Sequence, residues 1–208
     1  MSNDHGVRTL TSSEHADIWF PWRIAAPPQD GLLPFSLMPR RMFTYAAPRV
    51  SEMKPLGRVC RITLHHSGFS EPFLPTALNE TADYLERIRQ FHTGKGDGQR
   101  GWADIGYHFA VDRAGRVWQL RSLKYQGAHV KNHNAGNLGI VVLGNFELQE
   151  PAQLQLTTLQ QFLDWLGIIY ALPKSSIFPH AALADADAAT VCPGRTLNSA
   201  LTDWANRR

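Results

Sequence analysis

The run Leu138-Gly139-Ile140-Val141-Val142-Leu143-Gly144 carries no polar side chain and is the most apolar strand candidate in the chain. A strand of that composition belongs in the middle of a sheet, with both faces covered. A second run, Val59 to Leu64, is apolar and β-branched, ends in His65-His66, and is broken by Ser67-Gly68. A histidine at the end of a buried strand is held rigidly and can still face a cleft. A metal ligand or a proton shuttle requires that placement.

Cover for such strands is present in the pattern. Leu78, Ala82, Leu85, Ile88 and His92 recur at three- and four-residue spacing, which predicts an amphipathic helix from Thr76 to about His92. Leu156, Leu159, Leu163, Leu166 and Tyr170 predict a second helix from about Ala152 to Ala171, ended by Leu172-Pro173. Tyr107 to Val111 and Arg116 to Leu120 flank the turn Asp112-Arg113-Ala114-Gly115 as a hairpin. Ile177-Phe178-Pro179-His180 reads as a short extended piece, and Thr196 to Trp204 as a final short helix. The expected class is α/β, a single mixed β-sheet flanked by helices.

Residues 58–208 form this domain. Residues 1–57 read as an N-terminal arm, in which Asp17-Ile18-Trp19-Phe20-Pro21-Trp22, Ala26-Pro27-Pro28, Leu33-Pro34-Phe35 and Met38-Pro39 alternate prolines and aromatics without a regular period. Extended chain laid over the domain is the expectation for such a segment.

Composition narrows the function. A net charge of +3 is too small to argue for nucleic acid, and no apolar run is long enough to span a membrane. Two cysteines, Cys60 and Cys192, are too few for a disulfide scaffold and allow one bridge at most. The first twenty residues lack the basic-then-apolar pattern of a secretory signal. The expected location is therefore the cytoplasm, or the cell wall after release by a route the sequence does not reveal. Oligomeric state is not fixed by any of these features.

Soft and borderline metal ligands stand at three element ends, His65, His180 and Cys192. Zinc accepts imidazole nitrogen and thiolate sulfur, and a catalytic site keeps three protein ligands and an open position. Cys60 lies five residues before His65 on the same strand, too far along it to share an ion. Ser67 lacks the strained Gly-x-Ser-x-Gly elbow of a serine nucleophile. Read alone, Tyr107 also fits an ordinary half-buried strand aromatic, and His129 fits a surface loop as well as a groove wall. His66 and His108 alternate away from His65 and Tyr107, and His92 reads as a residue at a helix end that faces solvent or favours the helix dipole.

Several local sequences occur in one order: His65-His66-Ser67 after a strand, Gly101-Trp102 with Asp104-Ile105-Gly106-Tyr107-His108-Phe109, Gly127-Ala128-His129-Val130, and His180 with Thr190-Val191-Cys192-Pro193-Gly194. Over about residues 58–200 this resembles the zinc-dependent N-acetylmuramoyl-L-alanine amidase family, which includes phage lysozyme-type amidases and the peptidoglycan recognition proteins. The resemblance implies zinc ligation by His65, His180 and Cys192. It implies an active-site tyrosine at Tyr107 and a second catalytic position at Thr190, where phage enzymes often carry lysine. His129 and Trp102 would line the substrate groove. The implied substrate is peptidoglycan or a muropeptide, cut between muramic acid and L-alanine. A binding module that holds muropeptides uncut is the alternative, although in this family loss of the cysteine marks the binders, and Cys192 is present. The stretch between His180 and Cys192 is longer than usual for the family, the excess falling in Ala181–Ala189. The muropeptide-recycling branch carries a glutamate on the central strand, and Ile140-Val141-Val142-Leu143 has none.

Overall fold

The computed structural model describes residues 33–206. Six strands form one sheet: β1 (Ser36–Met38), β2 (Arg61–His66), β3 (Phe109–Val111), β4 (Arg116–Gln119), β5 (Asn137–Val142) and β6 (Ile177–Pro179). Their spatial order is β1-β4-β3-β5-β2-β6. All neighbours run parallel except β3 and β4, the hairpin expected around Asp112–Gly115. The mixed, helix-flanked sheet agrees with the expectation, and β5, cut from the most apolar run, is central and wholly buried.

Among the described residues three α-helices cover the sheet: α1 (Leu78–Thr93), α2 (Gln153–Tyr170) and α3 (Arg195–Asn206). Strand alternation divides the core between its faces. Ile62, Leu64, Leu138, Ile140 and Val142 pack with Leu159, Phe162 and Leu163 of α2 and Leu197 and Leu201 of α3. Ala110, Trp118, Val141 and Leu143 meet Tyr84, Leu85 and Ile88 of α1 on the other face. His65, paired with Val141, shares that second face. None of the described helices is long and apolar enough to cross a membrane.

The aromatic and proline run Asp17–Pro28 of the expected arm lies outside the described residues. Residues 33–57 do more than lie on the surface. Ser36–Met38 pairs in parallel with Arg116–Trp118 as an edge strand. Phe35 meets Phe162 and Trp165 edge-on, with ring centroids 5.1 and 5.7 Å apart. Pro34 and Pro39 bracket β1, which hides it from pattern reading, and an edge strand tolerates flanking prolines better than a central one does.

Asp112 is another departure. It was expected only to shape the hairpin turn, yet it is fully buried. Its carboxylate accepts from the backbone of Ala114 and Arg116, from Arg116 Nε at 2.6 Å and from Trp118 Nε1 at 2.7 Å.

Candidate metal centre

Register brings the first two ligand candidates together. Leu64 of β2 pairs with Pro179 of β6. The next residue of each chain segment, His65 and His180, therefore falls alongside the other, with ring centroids 4.5 Å apart. Cys192 arrives from the loop before α3, and its Sγ lies 3.7 Å from His65 Nδ1. One ligand atom from each of His65, His180 and Cys192 lies within 4.8 Å of the others, the one such group among the described residues. Zinc bonds of roughly 2.0–2.3 Å fit that spread after sub-ångström side-chain movement.

The long stretch between His180 and Cys192 does not separate them, because Ala181 N–H donates to the Cys192 carbonyl at 2.8 Å and closes its base. Its middle is tied to the neighbouring loop, where Asn132 Nδ2 donates to Asp185 at 2.8 Å and Lys131 pairs with Asp187.

The donor chemistry suits a cation. Burial, then the neighbouring His129 and His180, hold His65 well below the usual histidine range. Burial also lowers His180, so both rings are neutral and ready to ligate at neutral pH. The Cys192 thiol is pushed up to about 12 by burial, against the pull of the His66 backbone N–H, which donates to Sγ at 3.4 Å. A thiol so placed ionises at neutral pH only when a cation joins it. Cys60 is exposed and Cys192 buried, and both are free, so the one bridge the composition allowed is not made.

Around this trio the other expected residues take distinct places. The Tyr107 ring stands 5.1 Å from His65 by centroids, and burial, then the nearby Cys192, raises its phenol above the ordinary value. It therefore keeps its proton. Thr190 Oγ1 accepts the Cys192 backbone N–H at 3.1 Å, which leaves its own proton to donate. Trp102 is half-buried and packs on His92, ring centroids 4.7 Å apart, with the Arg100 guanidinium 5.8 Å above it. His129 does not line an open groove: it is 7% exposed and its Nδ1 lies 3.0 Å from His65 Nε2. Ser67 is spent on structure, since its Oγ bonds Gly144 N at 2.9 Å, the Gly144 carbonyl at 3.1 Å and the Tyr84 hydroxyl at 2.8 Å.

Three residues escaped the pattern reading. His92, expected to face solvent or favour the helix dipole, is buried, and burial brings it down to about 3. Its Nδ1 accepts the Gly106 N–H at 3.1 Å, and its ring flanks both Trp102 and Tyr107. The signal was present, because His92 continues the apolar stripe of α1. Arg121, lowered by burial to about 10, donates to the carbonyls of Ile105, Asp104 and Gln126. Arg40 clamps the Asp104 carboxylate. Together they fix the segment that carries Trp102 and Tyr107, through partners that no local pattern identifies.

Known proteins share this frame. A Sus scrofa N-acetylmuramoyl-L-alanine amidase is 29% identical over 76% of this chain, which spans 26% of that protein. Peptidoglycan-recognition protein LB of Drosophila melanogaster is 27% identical over 69% of this chain and 58% of its own. The chain thus spans less than two thirds of each of these relatives. A Drosophila PGRP-LB point mutant in complex with tracheal cytotoxin superposes with a TM-score of 0.67 at 22% identity, covering 83% of this chain and 96% of that one, and so shares the fold. Residues 56–195, more than half of the chain and all three clustered donors, match the family model described as N-acetylmuramoyl-L-alanine amidase, and the chain belongs to that family.

Proposed function

We propose that this domain hydrolyses the amide between N-acetylmuramic acid and L-alanine in peptidoglycan or its fragments, with zinc as its metal. The observation that carries the reading is the convergence of His65, His180 and Cys192 beside a protonated phenol. When bound, zinc supplies a Lewis acid and lowers the pKa of a coordinated water to roughly 7.

The chain's own residues supply the rest. His65 and His180 contribute neutral nitrogens, and the His66 backbone N–H steadies the charge that Cys192 acquires. Tyr107, protonated beside His65, donates a hydrogen bond to the oxygen on which charge develops as the amide carbon becomes tetrahedral. Thr190 adds a neutral donor and, unlike lysine, no positive charge, so more of the charge stabilisation falls to the metal. Trp102, held by His92 and by Arg49 at its carbonyl, walls the approach.

A second reading, a module that holds muropeptides uncut, is favoured by the recognition-protein name of one relative. Zinc quantification alongside mass spectrometry of digested peptidoglycan separates the two. Free stem peptides beginning with L-alanine, from protein carrying one zinc per chain, support the hydrolase. Retention of muropeptide without new products supports the binder.

A further inference from the structure

His129 was expected on the wall of the groove, and the structure buries it behind His65. Its two ring nitrogens have different partners. Nε2 lies 3.2 Å from the backbone carbonyl of Asn137, and Nδ1 lies 3.0 Å from His65 Nε2. A carbonyl oxygen only accepts, so in a ring carrying one proton that proton sits on His129 Nε2. His129 Nδ1 is then bare and accepts, so His65 Nε2 must carry the donating proton. This leaves His65 Nδ1 as a lone pair, and Nδ1 is the nitrogen 3.7 Å from Cys192 Sγ.

The surroundings are cut to hold the ring there. A Cβ on Gly139, in the central strand, would come 2.5 Å from His129 Cδ2, and one on Gly127 would come 2.3 Å from the same atom. The backbone N–H groups of His129 and Val130 both donate to Asn134 Oδ1, at 3.0 and 3.1 Å, which fixes the loop that presents the ring. Glycine in the middle of a buried strand weakens it, and here the missing side chain is the space His129 occupies.

We infer that His129 is a positioning residue: the chain Asn137 carbonyl, His129, His65 locks His65 in the tautomer whose Nδ1 faces Cys192 and His180. The inference deepens the metal reading above and rests on it for its consequence. A ligand histidine whose far nitrogen is fixed binds its metal more tightly, and loss of such a partner typically weakens affinity by roughly 10–100-fold.

Long-range nitrogen NMR on the metal-free wild-type protein reads the tautomers directly. The proton is expected on Nε2 of both His129 and His65, and a proton on His65 Nδ1 overturns the inference. Chelator competition then reads zinc affinity. His129→Leu should weaken it by about 10–100-fold, and His129→Asn, whose Oδ1 returns an acceptor at the reach of imidazole Nδ1, should recover most of the loss. Gly139→Ala keeps every ring and puts its Cβ against His129, whose atoms are the three nearest to it, so it should weaken zinc in the same direction. Wild-type affinity in folded His129→Leu overturns the proposal. Wild-type protein that shows the stated tautomers but retains no zinc overturns the metal reading instead, while supporting the hydrogen-bonded chain.

Discussion

Arg40 grips Asp104 through both carboxylate oxygens, Nη1 to Oδ2 at 3.0 Å and Nη2 to Oδ1 at 2.8 Å, while Nη1 also donates to the Leu120 carbonyl. The Asp104 side chain is 2% exposed and the Arg40 side chain 24%. A residue that precedes the main body of the sheet thus anchors the segment that positions Trp102 and Tyr107. Arg40→Ala strands a buried carboxylate and should cost ~3 kcal/mol in denaturant unfolding. Arg40→Lys keeps the charge but loses the planar fork and should fall between the two. Wild-type stability in Arg40→Ala would remove this pair from the account.

Cys192 provides the sharpest test of the metal centre. Cys192→Ala should abolish zinc retention in metal analysis and leave a folded domain, because the side chain serves no other partner than His65 and the His66 N–H among the described contacts. His66→Ala is the matched control. Among the described residues its ring accepts the Phe146 N–H, at 3.3 Å, so zinc should stay and stability should fall by about 1 kcal/mol.

Zinc affinity should also depend on pH in a defined direction. His65 and His180 are held below the usual histidine range and are already neutral at pH 7, whereas the Cys192 thiol, at about 12, is still protonated. Binding then displaces the thiol proton, and the coordinated water can release a second, so affinity should rise at least about tenfold per pH unit above pH 7 and well short of the thiol value. A flat profile from pH 7 to 9 would show that sulfur is not a ligand.

Tyr107→Phe removes one hydroxyl and leaves the ring against His65 and His92. Turnover should fall by about 100-fold with zinc content unchanged. Equal rates for the two proteins would take the phenol out of the reaction.

Phe35→Ala tests whether the segment before the domain is part of the core. Phe35 is 6% exposed against Phe162 and Trp165, so its truncation should cost ~3 kcal/mol or more in unfolding. A cost below 1 kcal/mol would make that contact incidental.

Much of the frame was legible because it rests on local periodicity. The stripe Leu78–His92 and the run Leu138–Gly144 each dictate their element from neighbours a few residues away, and α1 and β5 lie within two residues of their expected bounds. Strand β1 was not legible, since three residues between prolines carry no period and become a strand only when β4 offers its edge. His92 was misjudged for a related reason. Its position on the apolar face was visible, but the Gly106 N–H that makes its burial tolerable comes from a distant loop.

From the residues alone came the donor types and the order in which they follow one another along the chain, because thiol and imidazole chemistry is a property of each side chain. Tertiary structure decided which donors meet. His65 and Cys192 stand 127 positions apart, and only the β2–β6 register and the loop before α3 bring Nδ1 and Sγ to 3.7 Å. It also decided that His129 backs His65 instead of lining the groove. A ring's orientation is set by the groups that bond its two nitrogens, and here those groups come from two strands distant in sequence, His65 of β2 and Asn137 of β5.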